Sequence, residues 1–208
     1  MTLTPSNQTY LFEHENHLVQ FTKLYLRDNL PNKILLSGEK GIGKCTLAYH
    51  FINYVLSSDE EHSYNLKNIE INTSNKSFRL IQNRSNPNFI LIDVKDERKN
   101  IDIDQIRNLI SILNKSSFNS KPRFILIDNI DLLNINSVNA LLKILEEPND
   151  NINFILINNN KKVLPTLKSR CLNFKISLTY DQSISVTNRL LNENINNFLN
   201  KDIITHYS

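Results

Sequence analysis

The chain has 208 residues, enough for one α/β domain with a sizeable core and the start of a second. Its 24 Lys and Arg against 21 Asp and Glu leave a formal charge of +3, too thin over such a surface to make a nucleic-acid footprint, so contact with DNA is neither demanded nor excluded. Two cysteines, Cys45 and Cys171, exclude a disulfide framework and suit a reducing compartment; with no signal-peptide pattern and no membrane-length apolar run, a cytoplasmic protein is expected.

The first apolar run, KILLS at 33–37, predicts a strand. It feeds GEKGIGKCT at 38–46, which holds every glycine of the chain, Gly38, Gly41 and Gly43. The stretch from Gly38 to Lys44 matches G-x-x-x-x-G-K with a strand before it and a helix after it, the context that a phosphate-binding loop requires. Glycines let backbone amides curl towards phosphate oxygens without a side chain in the way, while the helix N-terminus and Lys44 supply positive charge. Gly38, Glu39, Lys40, Gly41, Ile42, Gly43, Lys44, Cys45 and Thr46 are therefore the candidate nucleotide contacts. An active loop places Ser or Thr after the lysine, because a hydroxyl coordinates Mg²⁺, a hard cation that binds thiols poorly. Cys45 weakens that metal site, and Thr46, about 100° further round a helix, is expected to point away from it.

From Lys44 to about Leu56 the sequence KCTLAYHFINYVL places Leu47, Phe51 and Val55 along one helical face. Residues 57–87 are polar with little periodicity and read as an excursion from the sheet, with a hairpin around IEINTSNKSFRLI at 69–81. NFILIDV (88–94) predicts the second strand, and DIDQIRNLISILN (102–114) a helix with an Asp cap at 102 or 104 and apolar Ile103, Ile106, Ile110 and Leu113. RFILID (123–128) predicts a third strand ending in Asp128, the second half of a phosphate-loop site. A hydrolase of this type carries Glu next, to orient and activate water. This chain has Asn129, which can hydrogen-bond water but cannot accept its proton, and Asp131 reads as a cap or a solvated acid. INSVNALLKILEEP (135–148) predicts a helix with a stripe of Val138, Leu141, Leu142 and Leu145, stopped by Pro148. NFILIN (153–158) and LNFKI (172–176) complete five short continuous apolar runs, the pattern of strands buried on both faces of a parallel sheet. Strands alternating with helices predict a three-layer α/β fold. From about residue 178 the chain reads as helical segments that belong to no strand.

In this order the chain resembles the bacterial clamp-loader branch of the AAA+ ATPases, from about residue 10 to about residue 180, most specifically through NALLKILEEP (139–148) and SRC (169–171). The resemblance implies a P-loop AAA+ sandwich with a central parallel five-stranded sheet over 1–177. Residues 178–208 would begin a helical lid, with no room for the collar that assembles the ring. Motor members of the branch carry Thr after the loop lysine and Glu after the strand Asp, so Cys45 and Asn129 imply the stator type, which binds ATP weakly or not at all and Mg²⁺ only if ATP binds. Arg170 would then project into a neighbouring motor subunit's ATP site as an arginine finger, although its spacing alone reads only as a surface cation. Asn158 or Asn159 matches the family's γ-phosphate sensor, and Asn158 is taken as the contact. Ser169 and Cys171 are positional. The implied partners are the motor subunits, the delta subunit, the sliding clamp and, through the assembly, primed DNA, with no membrane.

The family's four-cysteine zinc module has no counterpart, since residues 57–87 contain no cysteine and one histidine, His62, so zinc is not expected. Two other readings compete. A motor subunit would rely on Thr46 and a displaced acid such as Asp131. A small-molecule kinase would need clustered Arg residues for a mobile lid, which the sequence lacks. Polymerase chemistry itself is not expected, because the acids are dispersed and no pair is arranged for two metals; a polymerase III label would describe the holoenzyme.

Overall fold

The computed structural model describes residues 4–94, 100–114, 119–147, 151–159 and 163–191. Five strands, β1 (Lys33–Gly38), β2 (Phe89–Ile92), β3 (Arg123–Ile127), β4 (Ile152–Asn159) and β5 (Leu172–Lys175), form one sheet in the order β2-β3-β4-β1-β5. All four pairings are parallel, so each expected apolar run is a strand of the parallel sheet. Helices follow or precede them as α1 (Glu15–Leu26), α2 (Lys44–Leu56), α3 (Lys76–Gln82), α4 (Ile103–Leu113), α5 (Ile135–Glu146), α6 (Pro165–Lys168) and α7 (Tyr180–Leu191). No helix among the described residues is long and apolar enough to cross a membrane.

Strand alternation divides the core into two layers, one on each side of the sheet. Ile34, Leu36, Phe124, Leu126, Ile155 and Ile157 pack with α1 and α2, while Leu35, Ile125, Ile127, Phe154 and Leu156 pack with α4 and α5. Neither layer is left to water, which is why the strands read as unbroken apolar runs instead of alternating ones. In α4 the expected cap falls at Asp102, whose backbone N–H is taken by Gln105 Oε1 at 3.2 Å. Helix α5 ends at Glu146, and the expected stop at Pro148 lies outside the described residues.

Two elements depart from the sequence reading. Residues 15–26 lie outside every expected element, yet Leu18, Phe21 and Tyr25 carry helical spacing, and α1 lays Leu18 and Phe21 against α2, with Phe21 edge-on to Phe51 at 5.8 Å. With α1 on one side and the 57–87 excursion on another, α2 is buried nearly all round, including Tyr49, His50, Ile52 and Asn53 beyond the expected stripe. The hairpin expected at 69–81 is corrected: residues 76–82 form α3, and only isolated bridges join Glu70 to Asn65 and Tyr10. The reason is local capping. Asn75 accepts from the Phe78 N–H at 2.7 Å, Glu60 accepts from the Lys76 and Ser77 N–H groups at 2.8 and 3.1 Å, and Phe78 and Ile81 turn into the core.

Asn75 is fully buried and also bonds Asn53 (3.1 Å) and the His62 carbonyl (2.9 Å). Asn75→Ala removes the cap and leaves Asn53 and that carbonyl short of a partner. It is expected to destabilise the chain by about 2 kcal/mol, read as a lower urea midpoint at unchanged slope. A change within about 0.5 kcal/mol would mean that α3 is held by packing alone.

Candidate nucleotide site

The site lies at the carboxyl ends of β1, β3 and β4, where ligands of open α/β sheets sit. Strand β1 delivers Gly38, at which a Cβ would stand 2.1 Å from the Ile176 carbonyl, so only glycine lets the chain leaving β5 pass this close. The loop then turns through Gly41 (φ 87°) and Gly43 (φ 90°), and Gly43 serves as the left-handed N-cap of α2, its carbonyl receiving Leu47 N–H at 2.9 Å. A side chain at such φ values is strained, which is the local reason for glycine here. Lys44 opens α2 almost entirely out of solvent, and its Nζ donates to the carbonyls of Gly38 (2.9 Å) and Glu39. Burial lowers its pKa, opposed by Asp128 and Asp131.

Lys40 through Thr46 and Asp128 line a cavity of about 380 Å³, closed on other sides by the amino-terminal segment through His14 and by Val186 and Leu190 of α7. That size suits a small-molecule ligand. Gly38 and Glu39 contribute their carbonyls to Lys44 and do not line the cavity.

Cys45 and Asp128 are neighbours at the end of the loop. Burial, and then the charge of Asp128, push the Cys45 thiol well above its ordinary pKa. Burial and the neighbouring Asp93 likewise raise Asp128, against Cys45 and the bond from the Asn129 N–H (2.8 Å). Asn129 sits in the left-handed region (φ 57°, ψ 48°), which asparagine tolerates better than most residues. Both ends of its amide are engaged: Nδ2 donates to Asp93 Oδ1 at 2.8 Å, and Oδ1 accepts from Asn159 Nδ2 at 2.6 Å. Asp131 Oδ1 accepts from the Asn159 N–H at 3.3 Å, so it braces the end of β4. Asp93, Asn129 and Asn159 thus form a hydrogen-bonded ledge across the tips of β2, β3 and β4.

Of the two asparagines matched to a sensor, Asn159 lines the cavity and Asn158 does not; Asn158 is 4% exposed and faces Ser37 in the ladder. Arg170 also lies outside the cavity. It follows α6, its side chain is 31% exposed, and its guanidinium donates to the Thr166 carbonyl (2.8 Å) and pairs with Glu146. That ion pair joins the ends of NALLKILEEP and SRC.

Sequence reasoning missed His14, Asp93 and Glu146. His14 is 1% exposed, bonds the Ile42 carbonyl through Nε2 at 2.5 Å and packs near Gly43. Nothing in one sequence signals it, because it lies 28 residues from Ile42. Asp93 had a signal, since ILID closes both NFILIDV and RFILID.

A family profile described as "DNA polymerase III, delta subunit" matches residues 13–179. The chain is 30% identical over 139 residues to DNA polymerase III subunit delta' of Pseudomonas aeruginosa, covering 66% of this chain and 40% of that protein. It is 31% identical over 172 residues to DNA polymerase III subunit gamma of Buchnera aphidicola subsp. Schizaphis graminum, covering 79% and 43%. The chain spans less than half the length of these relatives. Among solved structures, a DNA polymerase III gamma subunit-related protein from Thermotoga maritima superposes with TM-score 0.57 at 21% identity, over 82% of this chain and 49% of that one. The RuvB Holliday junction branch migration motor of the same organism gives 0.52 at 16% identity, over 91% and 55%. Likeness at such identities speaks for the fold alone, the parallel α/β sandwich described above.

Proposed function

This chain belongs to the "DNA polymerase III, delta subunit" family, and we propose that it is a delta prime-like, non-hydrolysing stator of a clamp loader in the cytoplasm. In this reading it sits beside ATPase motor subunits and a delta subunit, helps to place a sliding clamp on primed DNA, and contributes Arg170 to a neighbour's ATP site. Its own phosphate loop keeps a nucleotide cradle without catalysis, and no zinc is involved.

The observation that carries the reading is the occupied ledge. A hydrolase needs a carboxylate at position 129 to take a proton from water; here an amide stands there with both ends committed to Asp93 and Asn159. The metal position agrees. Mg²⁺ seeks oxygen ligands, and the residue beside it is a buried thiol whose pKa is pushed well up, so the residues present do not fit that ion. Asp131, the alternative base, is committed to the β4 backbone. Identity to gamma subunits is as high as to delta' subunits, so these positions, and not overall similarity, favour the stator over a motor. The isolated chain is therefore expected to release no phosphate from Mg²⁺-ATP above a Lys44→Ala control. Turnover that depends on Lys44 would support the motor reading instead.

A further inference from the structure

Resting on the cradle in the proposed function, we infer that the loop cavity holds a nucleoside diphosphate in preference to a triphosphate, and holds it without a divalent cation. The two ends of the cavity differ in what they offer an anion. At the loop, the N-terminus of α2, the positive-φ turns at Gly41 and Gly43 and the Lys44 ammonium supply donors and positive charge for a β-phosphate. Beyond it, where a third phosphate would extend, stand Asp128 and the ledge. Asp93 belongs to that ledge and Asp131 braces it, and each amide that could meet a γ-phosphate already has one of its two N–H groups engaged: Asn129 Nδ2 on Asp93 and Asn159 Nδ2 on Asn129. A third phosphate therefore meets carboxylates and amides that are already half engaged.

A loop of this type ordinarily offsets that repulsion with a cation bridging the β- and γ-phosphates. The cation's protein ligand is replaced here by the Cys45 thiol, a buried, protonated neighbour of Asp128. A diphosphate stops short of the ledge and needs no bridging ion. Beside the loop stands one further polar group. His14 gives its Nε2 proton to the Ile42 carbonyl, which leaves Nδ1 as an acceptor with no hydrogen-bond partner among the described residues, on a residue lining the cavity. Ribose hydroxyls and an exocyclic amine are donors for such an atom.

The test is calorimetric titration of the full 208-residue chain with ADP and with ATP, each in Mg²⁺ and in EDTA. ADP is expected to bind about tenfold or more tightly than ATP, about 1.4 kcal/mol, with its affinity moving by less than about twofold between Mg²⁺ and EDTA. In Cys45→Ser the restored hydroxyl is expected to make ATP binding respond to Mg²⁺. ATP binding as tightly as ADP, or a large gain in ADP affinity with Mg²⁺ in the unaltered chain, overturns the inference and leaves the cradle standing. Binding of neither nucleotide removes the cradle itself, and the inference with it, while leaving the role of Arg170 to be decided separately.

Discussion

Replacing Arg170 by alanine is expected to cut the DNA-stimulated ATPase rate of a loader reconstituted with this chain by about tenfold at least, and by up to about 10³ if the guanidinium meets the transferring phosphoryl directly. The side chain is suited to that use. It stands outside the cavity of its own phosphate loop, half-buried, and is aimed by two contacts: the Thr166 carbonyl one turn back and Glu146 at the end of α5. A guanidinium held by a carboxylate from a rigid helix starts with its rotamers restricted, so less entropy is lost when it reaches across an interface. Arg170→Lys is expected not to restore the rate, because an ammonium cannot reproduce the planar fork. Assembly, followed by gel filtration, should survive both changes, since a half-exposed ion pair contributes little to stability. An unchanged rate in an intact assembly would end the finger assignment.

A comparably large effect is expected on acidification. His50 is fully buried in α2, with Nδ1 2.7 Å from the Tyr64 hydroxyl, and burial lowers its pKa from 6.5 to about 4. The unfolded chain takes up a proton near pH 6.5, whereas the folded chain does so only near 4, so protonation favours the unfolded state throughout that window. Stability is therefore complete above pH 6.5, falls as the pH drops towards 4 and levels off below. At about 1.4 kcal/mol per pH unit the loss from His50 alone is about 3 kcal/mol. His14 and His17 are lowered by burial too and act in the same direction. Asp128 acts oppositely, since its raised pKa means that acid relieves a penalty. Urea midpoints of the unaltered chain and of His50→Gln at pH 7 and pH 5 decide the matter. The substitution should flatten the pH dependence, and an equally steep fall in both would place the cause elsewhere.

The sheet and α2 were legible because their signals are local. Five apolar runs needed no partner to be seen, and glycine confined to one loop marked its own turn. The ledge was not legible, because it is made by the meeting of three strand tips. Nothing in the sequence says that Asn129 would reach Asp93, 36 residues away, or Asn159, 30 residues away. The choice between Asn158 and Asn159 was not legible for a related reason. Successive strand residues face opposite sides of a sheet, so a one-residue ambiguity within an asparagine run moves the side chain from cavity to interior. Helix α3 was hidden because seven residues carry too little periodicity, and its cap is an asparagine buried by contacts from the preceding excursion.

The two apolar layers lie along the bodies of the strands, while Asp128, Asn129 and Asn159 stand at the strand ends; Cys45, in the first turn of α2, packs against the edge of one layer. Chemistry and cohesion therefore occupy different storeys of the same building. Exchanging a hydroxyl for a thiol at 45 or an acid for an amide at 129 changes the chemistry of the strand ends and leaves the apolar faces of the sheet in place. If the chain is the stator proposed above, selection on its shape as a rigid neighbour does not act on catalytic residues, and retirement from catalysis is an easily reached end point for this architecture.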